Sequence, residues 1–232
     1  MLKSSLALAA AALVAIAPVA AMAQEADAAA QATADAPATD QRVFQPISYD
    51  MAVDPDNILL LDLSNGQRVS IRLMPSWAPQ HVDRVKTLAR QGFYDGIIFH
   101  RVIEGFMAQT GDPTGTGTGG SQLPDLKQEF NKMPHVRGTV SMARAASEDS
   151  ANSQFFIVFL PRFSLDNKYT NFGRVISNMA AVDAIQRGEP PANPTRIVQA
   201  SIASDNKPVP AAPAPRIEAN ISADELNAPI GN

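Results

Sequence analysis

The sequence predicts a mainly β domain, a closed antiparallel β-barrel capped by two α-helices. Two observations lead to this fold class. Between residues 47 and 205, apolar and β-branched residues fall into many short runs separated by turn-forming residues, which is typical of short strands. Only two segments of this region have the spacing of three and four residues that is typical of helices. Many short strands with few helices favour a closed antiparallel barrel.

The first two predicted strands form a β-hairpin. Residues 58–63 are largely apolar, and residues 69–73 alternate between apolar and polar side chains. Asn65 and Gly66 lie between them, and Asn-Gly is the strongest short-range signal for a hairpin. Six further strands are predicted over residues 97–103, 106–110, 140–143, 155–159, 172–176 and 195–203.

Two helices are predicted. Apolar residues recur at spacings of three and four over residues 79–91, and Gly92 follows their end. The second helix is predicted over residues 179–187, because Asn178 favours a helix N-terminus and Gly188 follows the last residue.

The two ends of the chain differ in composition from its middle. A positive start, an apolar run over residues 6–19 and a small-residue cleavage site before Gln24 predict a secretory signal peptide. The apolar run is short and Ala-rich for a membrane span, so no membrane insertion is expected after cleavage. We expect a periplasmic protein, with secretion as the alternative. The predicted parts are a signal peptide at 1–23, an Ala-rich flexible leader at 24–46, one folded domain at 47–205 and a Pro-rich tail at 206–232.

Composition excludes several classes of function. The chain has 232 residues, 19 of them basic and 23 acidic, for a net charge of -4, so no nucleic-acid partner is expected. Cysteine is absent, which excludes disulfides and a thiolate nucleophile. The three histidines, His81, His100 and His135, have no metal-ligand spacing, so structural roles, no metal and no cofactor are expected. We expect a monomer.

A group of polar residues is predicted to share its strand faces with large apolar ones. Side chains alternate along a strand, so Met107 and Gln109 share a face, and so do Gln154 and Phe156. If their strands are neighbours, Arg101 joins them on one wall. Met107 and Phe156 taken alone are more typical of a core. An arginine and two glutamines would leave many donors unsatisfied in a sealed core, so an open groove is favoured.

Three motifs resemble the cyclophilin family of peptidyl-prolyl isomerases. They are FHRVIEGFMAQTGD at residues 99–112, SQFFIVF at residues 153–159 and LDNKYTNFG at residues 165–173. The resemblance covers about residues 47–205. It implies a barrel of eight strands with a helix over each open end, and an enzyme that acts on proline-containing unfolded or extended polypeptides.

The resemblance also implies a role for each matching position. Arg101 would be the catalytic residue, and Gln109 and Gln154 would orient it and the substrate backbone. The prolyl ring would lie against four apolar residues, with Tyr169 at the far wall. The ring-holding residues are Phe106, Met107, Phe156 and Leu165. The peptide would run beside Ala143, Arg144 and Ala145, and Gly117 and Thr118 would border the groove for the residue before the X-Pro pair.

The reaction explains why so few groups are needed. Rotation about a peptide bond is opposed by roughly 18–20 kcal/mol, because the nitrogen lone pair is conjugated with the carbonyl group. A guanidinium donor at the prolyl nitrogen favours the twisted geometry over the planar ground state. Neither a nucleophile nor a metal is required.

One feature of the sequence could mislead, and another departs from the family pattern. Residues 115–120, GTGTGG, fit the dinucleotide fingerprint as a string, yet no helix or βαβ unit follows them, so nucleotide binding is rejected. Ser164 stands where well-known family members have a tryptophan that donates a hydrogen bond to cyclosporin, so weak inhibition by cyclosporin is expected.

Two alternatives to the enzyme remain. One is a chaperone or scaffold that binds extended peptides and whose isomerase pocket is incidental. The other is an exported barrel with no site, which requires all three motifs to arise as core packing. The simultaneous presence of Arg101, the two glutamines and the apolar residues favours the enzyme.

Overall fold

The computed structural model describes residues 43–211, so the predicted signal peptide lies outside the described residues, as does most of the predicted tail. The strands are β1 Ile58–Leu63, β2 Arg68–Leu73, β3 Arg101–Ile103, β4 Met107–Thr110, β5 Thr139–Met142, β6 Phe155–Val158, β7 Asn171–Ser177 and β8 Ile197–Ile202. The α-helices within this range are α1 Pro79–Arg90 and α2 Met179–Asp183. Single 3-10 turns lie at Pro55–Asn57, Phe163–Leu165 and Ala203–Asp205. Between residues 43 and 211, no helix is long and apolar enough to cross a bilayer.

The mainly β architecture is confirmed, but the predicted closed barrel is wrong. The eight strands form one antiparallel sheet in the order β3-β4-β6-β5-β7-β2-β1-β8, and this sheet curls into an open half-barrel. Of the predicted strand 97–103, only the last three residues are strand. The preceding residues meet the β8 side at the isolated bridge between Ile98 and Arg196, which does not extend into a ladder. Without that ladder, β3 and β8 remain the two edges of the sheet.

The predicted hairpin is confirmed, and its turn has a specific form. The Gly66 N–H donates to Leu63 O at 2.9 Å, and the Leu63 N–H donates to Gln67 O at 2.8 Å. Gly66 has a φ of 80°, in the left-handed region that glycine adopts without strain. This is a type I turn followed by a left-handed residue, so the conformational demand falls on Gly66 and not on Asn65.

Helix α1 agrees with its predicted span, but α2 is shorter than predicted. The buried face of α1 includes Val82, Val85 and Leu88. Helix α2 ends at Asp183 and not at residue 187. The Arg187 guanidinium donates to Asp183 O at 2.8 Å, a main-chain carbonyl that a longer helix would have paired with an N–H group. The sequence pattern shows the apolar spacing but not this side-chain capping.

The aromatic centre of the core lies between the sheet and the segment that follows α1. Tyr94 contacts Phe155 edge-on with ring centroids 5.6 Å apart, and Phe155 contacts Phe172 in the same way at 6.2 Å. All three side chains are fully buried. The Tyr94 hydroxyl donates to Ser153 O at 3.1 Å, so its polar tip is satisfied.

Residues 48–54, which precede β1, are joined to the sheet by a buried arginine on β2. Arg72 is 3% exposed and donates to the main-chain carbonyls of Ser48, Asp50, Val53 and Asp54. Gln45, which lies in the predicted leader 24–46, accepts a hydrogen bond from the Trp77 indole at 3.1 Å. The boundaries between the predicted parts of the chain stay predictions.

We expect Arg72→Met to lower the free energy of unfolding by about 3 kcal/mol, because it leaves four carbonyls without their charged donor. Urea denaturation measures the change. The control is Arg137→Met, which removes an exposed pair with Asp183 and one bond to Phe159 O, and should cost only about 1 kcal/mol. Equal losses of unfolding free energy in the two variants would show that the four hydrogen bonds of buried Arg72 contribute no more than an exposed pair.

Candidate active site

One row of side chains crosses four adjacent strands on the same face of the sheet. Arg101 on β3 lies opposite Gln109 on β4, Gln109 lies opposite Phe156 on β6, and Phe156 lies opposite Ser141 on β5. Directly opposed residues share a face. Neighbouring strands are about 4.8 Å apart, so the Cα atoms of Arg101 and Phe156 are roughly 10 Å apart, within the reach of a long side chain.

A parallel row on this face is entirely apolar. Ile103 lies opposite Met107, and Met107 lies opposite Val158. Met107, Phe156 and Val158 are buried, and further apolar side chains pack around them while staying partly exposed. These are Ile103, Phe106, Ala143, Leu165 and Tyr169. Together these eight residues form what we call the apolar cluster, in which five partly exposed side chains pack on three buried ones.

Gln109 and Gln154 join the sheet to residues 115–120, which we call the Gly-rich loop. The Gln109 side-chain amide donates to Gln154 Oε1 at 2.8 Å. Gln154 in turn donates to Gly117 O at 3.1 Å and to Gly119 O at 2.7 Å. The hydrogen bonds therefore hold the loop against Gln154, which directly precedes β6, and through it against Gln109 on β4.

A groove of about 480 Å³, lined largely by polar residues, adjoins the apolar cluster at Ala143. Residues predicted to bind substrate line its two sides, Gly117 and Thr118 on one and Ala143, Arg144 and Ala145 on the other. Gln109 and Gln154 also line this groove, so they contact both regions.

Arg144 forms the rim between the groove and the apolar cluster. Its guanidinium lies 4.9 Å from the centroid of the Tyr169 ring and donates to Lys168 O at 3.2 Å and 3.1 Å. Tyr169 contacts Phe156 edge-on at 5.6 Å. The two residues therefore build one wall together.

The structure gives Arg101 a partner that the sequence analysis did not single out. Arg101 Nε donates to Glu189 Oε2 at 2.8 Å. The two residues are 88 positions apart, and Glu189 lies beyond the second helix in an irregular segment. No local pattern in the sequence indicates this contact.

A buried hydrogen-bonded chain also escaped the sequence analysis. The Ser141 hydroxyl lies 2.8 Å from His135 Nε2, and His135 Nδ1 lies 2.7 Å from Asp166 Oδ1. The His135 ring is stacked on Phe156 with centroids 6.4 Å apart. Burial lowers the pKa of His135, although Asp166 opposes this effect. Ser141 is fully buried beside Phe156 on the neighbouring strand, so the chain supports the base of the cluster and cannot present a nucleophile to a substrate.

The described residues were also compared with the requirements of a metal site. Between residues 43 and 211, no three His, Asp or Glu side chains are close enough to share a metal ion. The fold and the site together define a half-barrel protein in which arginine side chains border an apolar cluster and the groove that adjoins it.

Known proteins are similar to this chain in sequence and in fold. The model of the family described as cyclophilin type peptidyl-prolyl cis-trans isomerase/CLD matches residues 59–202. A probable peptidyl-prolyl cis-trans isomerase of Brucella suis is 47% identical over 172 residues, which cover 67% of this chain and 87% of the relative. A peptidyl-prolyl cis-trans isomerase of Helicobacter pylori is 42% identical over 130 residues, covering 54% and 79% of the two chains.

Solved structures agree with the sequence comparison. A cyclophilin from Hirschia baltica has a TM-score of 0.62 at 31% identity, covering 67% of this chain and 77% of its own. A cyclophilin type peptidyl-prolyl cis-trans isomerase of Cryptosporidium parvum, crystallised in the presence of the dipeptide Ala-Pro, has a TM-score of 0.58 at 28% identity. The match covers 62% of this chain and 98% of that one. This chain belongs to the cyclophilin-type peptidyl-prolyl cis-trans isomerase family, and it is an isomerase by that membership.

The buried ring of His100 predicts that the fold loses stability in acid. The ring is 5% exposed, and neither of its nitrogens has a hydrogen-bond partner among the described residues. Burial lowers its pKa, the charge of Arg101 lowers it further, and Asp112 opposes both effects. The unfolded chain therefore takes up this proton at a higher pH than the folded protein does. The contribution to stability is complete above about pH 6.5 and is lost as the pH falls below that value.

We expect the urea midpoint of the parent protein to fall between about pH 7.5 and about pH 5.5. The fall should be smaller in His100→Leu, which removes the titrating ring and leaves His135 in place. Denaturation curves of both proteins at the two pH values test this. Equally steep falls would show that His100 does not contribute.

Proposed function

We propose that this protein accelerates the cis-trans isomerisation of X-Pro bonds in unfolded or extended polypeptides, using Arg101 without a covalent intermediate. The observation that carries the proposal is the cross-strand row in which Arg101, Gln109 and Phe156 share one face beside the apolar cluster. A cation at the edge of an apolar hollow suits a ligand that is an apolar ring with one polar atom.

In this proposal the prolyl ring lies in the apolar cluster. Met107 and Phe156 form the floor, and Phe106, Leu165 and Tyr169 surround it. These side chains offer apolar area and little hydrogen bonding, which matches a ring that has no N–H group. Water is excluded from one side of the bond that rotates.

The substrate main chain would run along the wall beside Arg144. The N–H groups of Ala143 and Ala145 already donate to Gln154 O and to Ser150 Oγ, at 2.9 Å and 3.0 Å. The proposed main-chain pairing with substrate therefore centres on Arg144. The residue before the X-Pro pair would enter the groove bordered by Gly117 and Thr118.

The proposed role of Arg101 follows from the electronic structure of the amide. Conjugation of the nitrogen lone pair makes the planar bond stiff, with a barrier of roughly 18–20 kcal/mol. A guanidinium N–H that hydrogen-bonds to the prolyl nitrogen competes for this lone pair, and it does so best when the bond is twisted. Gln109 and Gln154 would hold the substrate and the loop while the bond turns.

The expected result of Arg101→Ala is a loss of about 100-fold or more in kcat/KM, the scale typical for removal of one transition-state donor. A protease-coupled assay on a short X-Pro peptide measures it. Arg196→Ala, which removes an exposed arginine that donates to Gly96 O, is the control and should keep parental activity.

An unchanged rate in a folded Arg101→Ala protein would refute the proposed role of Arg101. If that variant also still suppressed aggregation of an unfolded client without proline, the binding-chaperone hypothesis would be favoured instead.

We also propose that the protein acts as a monomer on exported chains, in the periplasm. The support for export is the N-terminal sequence, with its positive start, apolar run and small-residue cleavage site. Uncatalysed isomerisation takes tens of seconds or more at about 25 °C, long enough to delay folding of a translocated chain.

Export with cleavage predicts that the protein purified from its natural source begins at Gln24. N-terminal sequencing, together with assay of the periplasmic, cytoplasmic and culture-medium fractions, checks this. An intact Met1 or a cytoplasmic location would refute export, and activity in the medium would replace periplasm with secretion.

A further inference from the structure

The guanidinium of Arg101 is held by a carboxylate from a distant part of the chain. Arg101 Nε donates to Glu189 Oε2 at 2.8 Å. The segment that bears Glu189 is fastened to β3 by two main-chain hydrogen bonds. The Val102 N–H donates to Gly188 O at 2.8 Å, and the Gly188 N–H donates to Val102 O at 2.9 Å. Val102 and Gly188 are the direct neighbours of Arg101 and Glu189, so the backbone itself brings the two side chains together.

The atom that Glu189 engages determines what the arginine can still do. A guanidinium is planar and has five N–H donors, one on Nε and four on the two terminal nitrogens. A bond to Nε fixes the plane of the group and leaves both terminal nitrogens available for another acceptor. The proposed function of Arg101 requires a terminal nitrogen that is held in place and is still free to donate to the prolyl nitrogen.

Exposure indicates that this ion pair does little for stability. The side chains of Arg101 and Glu189 are 40% and 51% exposed, and exposed pairs are worth little because water screens them and long side chains lose freedom in forming them. An effect of Glu189 should therefore appear in turnover and not in the unfolding midpoint.

We propose that Glu189 is a positioning residue of the isomerase site, which holds the Arg101 fork with its terminal nitrogens towards the bound prolyl group. This inference rests on the proposed function of Arg101. Arg101 lies on β3, an edge strand of three residues, where one neighbouring strand supports it. A long side chain there has many rotamers, and the Glu189 contact selects among them before substrate binds, so that less orientational freedom is lost in reaching the transition state.

The test compares kcat and KM for an X-Pro peptide in Glu189→Ala, Glu189→Gln and the parent. Glu189→Ala removes the acceptor, and kcat should fall about 10-fold while KM stays within about twofold. Glu189→Gln keeps an oxygen that can accept from Nε and should recover most of the loss. The matched control is Glu104→Ala, which breaks a comparable exposed pair with Arg187 of 2.7 Å and should leave kcat unchanged.

A double-variant cycle separates this inference from the proposed function. Adding Glu189→Ala to Arg101→Ala should change kcat no further, because Glu189 acts through Arg101. If Arg101→Ala is inactive but Glu189→Ala has an unchanged or raised kcat, the inference is wrong and the proposed function stands. The inference is also wrong if Glu189→Ala lowers kcat equally in both backgrounds. If Arg101→Ala keeps full activity, the proposed function itself fails.

Discussion

The site depends on the register of four strands. Because side chains alternate with a period of two, a slip of one residue between β3 and β4 would turn Arg101 into the core and bring Val102 to the cleft. Such a slip is opposed because the other face of these strands is apolar and buried. Val102, Ala108, Ile157 and Val140 oppose one another in a row, and all four belong to the main core. Burial of that row therefore determines which side chains face the cleft.

Phe156, at the base of the apolar cluster, is supported by polar side chains whose hydrogen bonds are all made. His135 stacks on Phe156, and its two ring nitrogens are engaged by Ser141 and Asp166. Each of these buried groups has a partner, so the network does not carry the cost of an unpaired polar atom. An aromatic ring supported in this way is held in place at the base of the apolar cluster.

Two arginines border the cleft and are held in different ways. Arg144 donates to main-chain carbonyls and lies over Tyr169, so its guanidinium is part of the wall. Arg101 stands on an edge strand and meets a carboxylate through Nε alone. The half-barrel makes this difference possible, since an edge strand leaves one side open to an irregular segment such as the one that contains Glu189.

The sequence by itself determined most of the strands, the first hairpin, helix α1 and the family, since each follows from local spacing or from contiguous motifs. Side-chain parity also indicated correctly that Met107 shares a face with Gln109. Only the tertiary structure decided that the sheet stays open, that α2 ends at Asp183, and that Arg101 meets Glu189. These features arise from hydrogen bonds between distant segments or from the choice that one side chain makes among several acceptors. A local pattern records which face a residue occupies, but it does not record its partner.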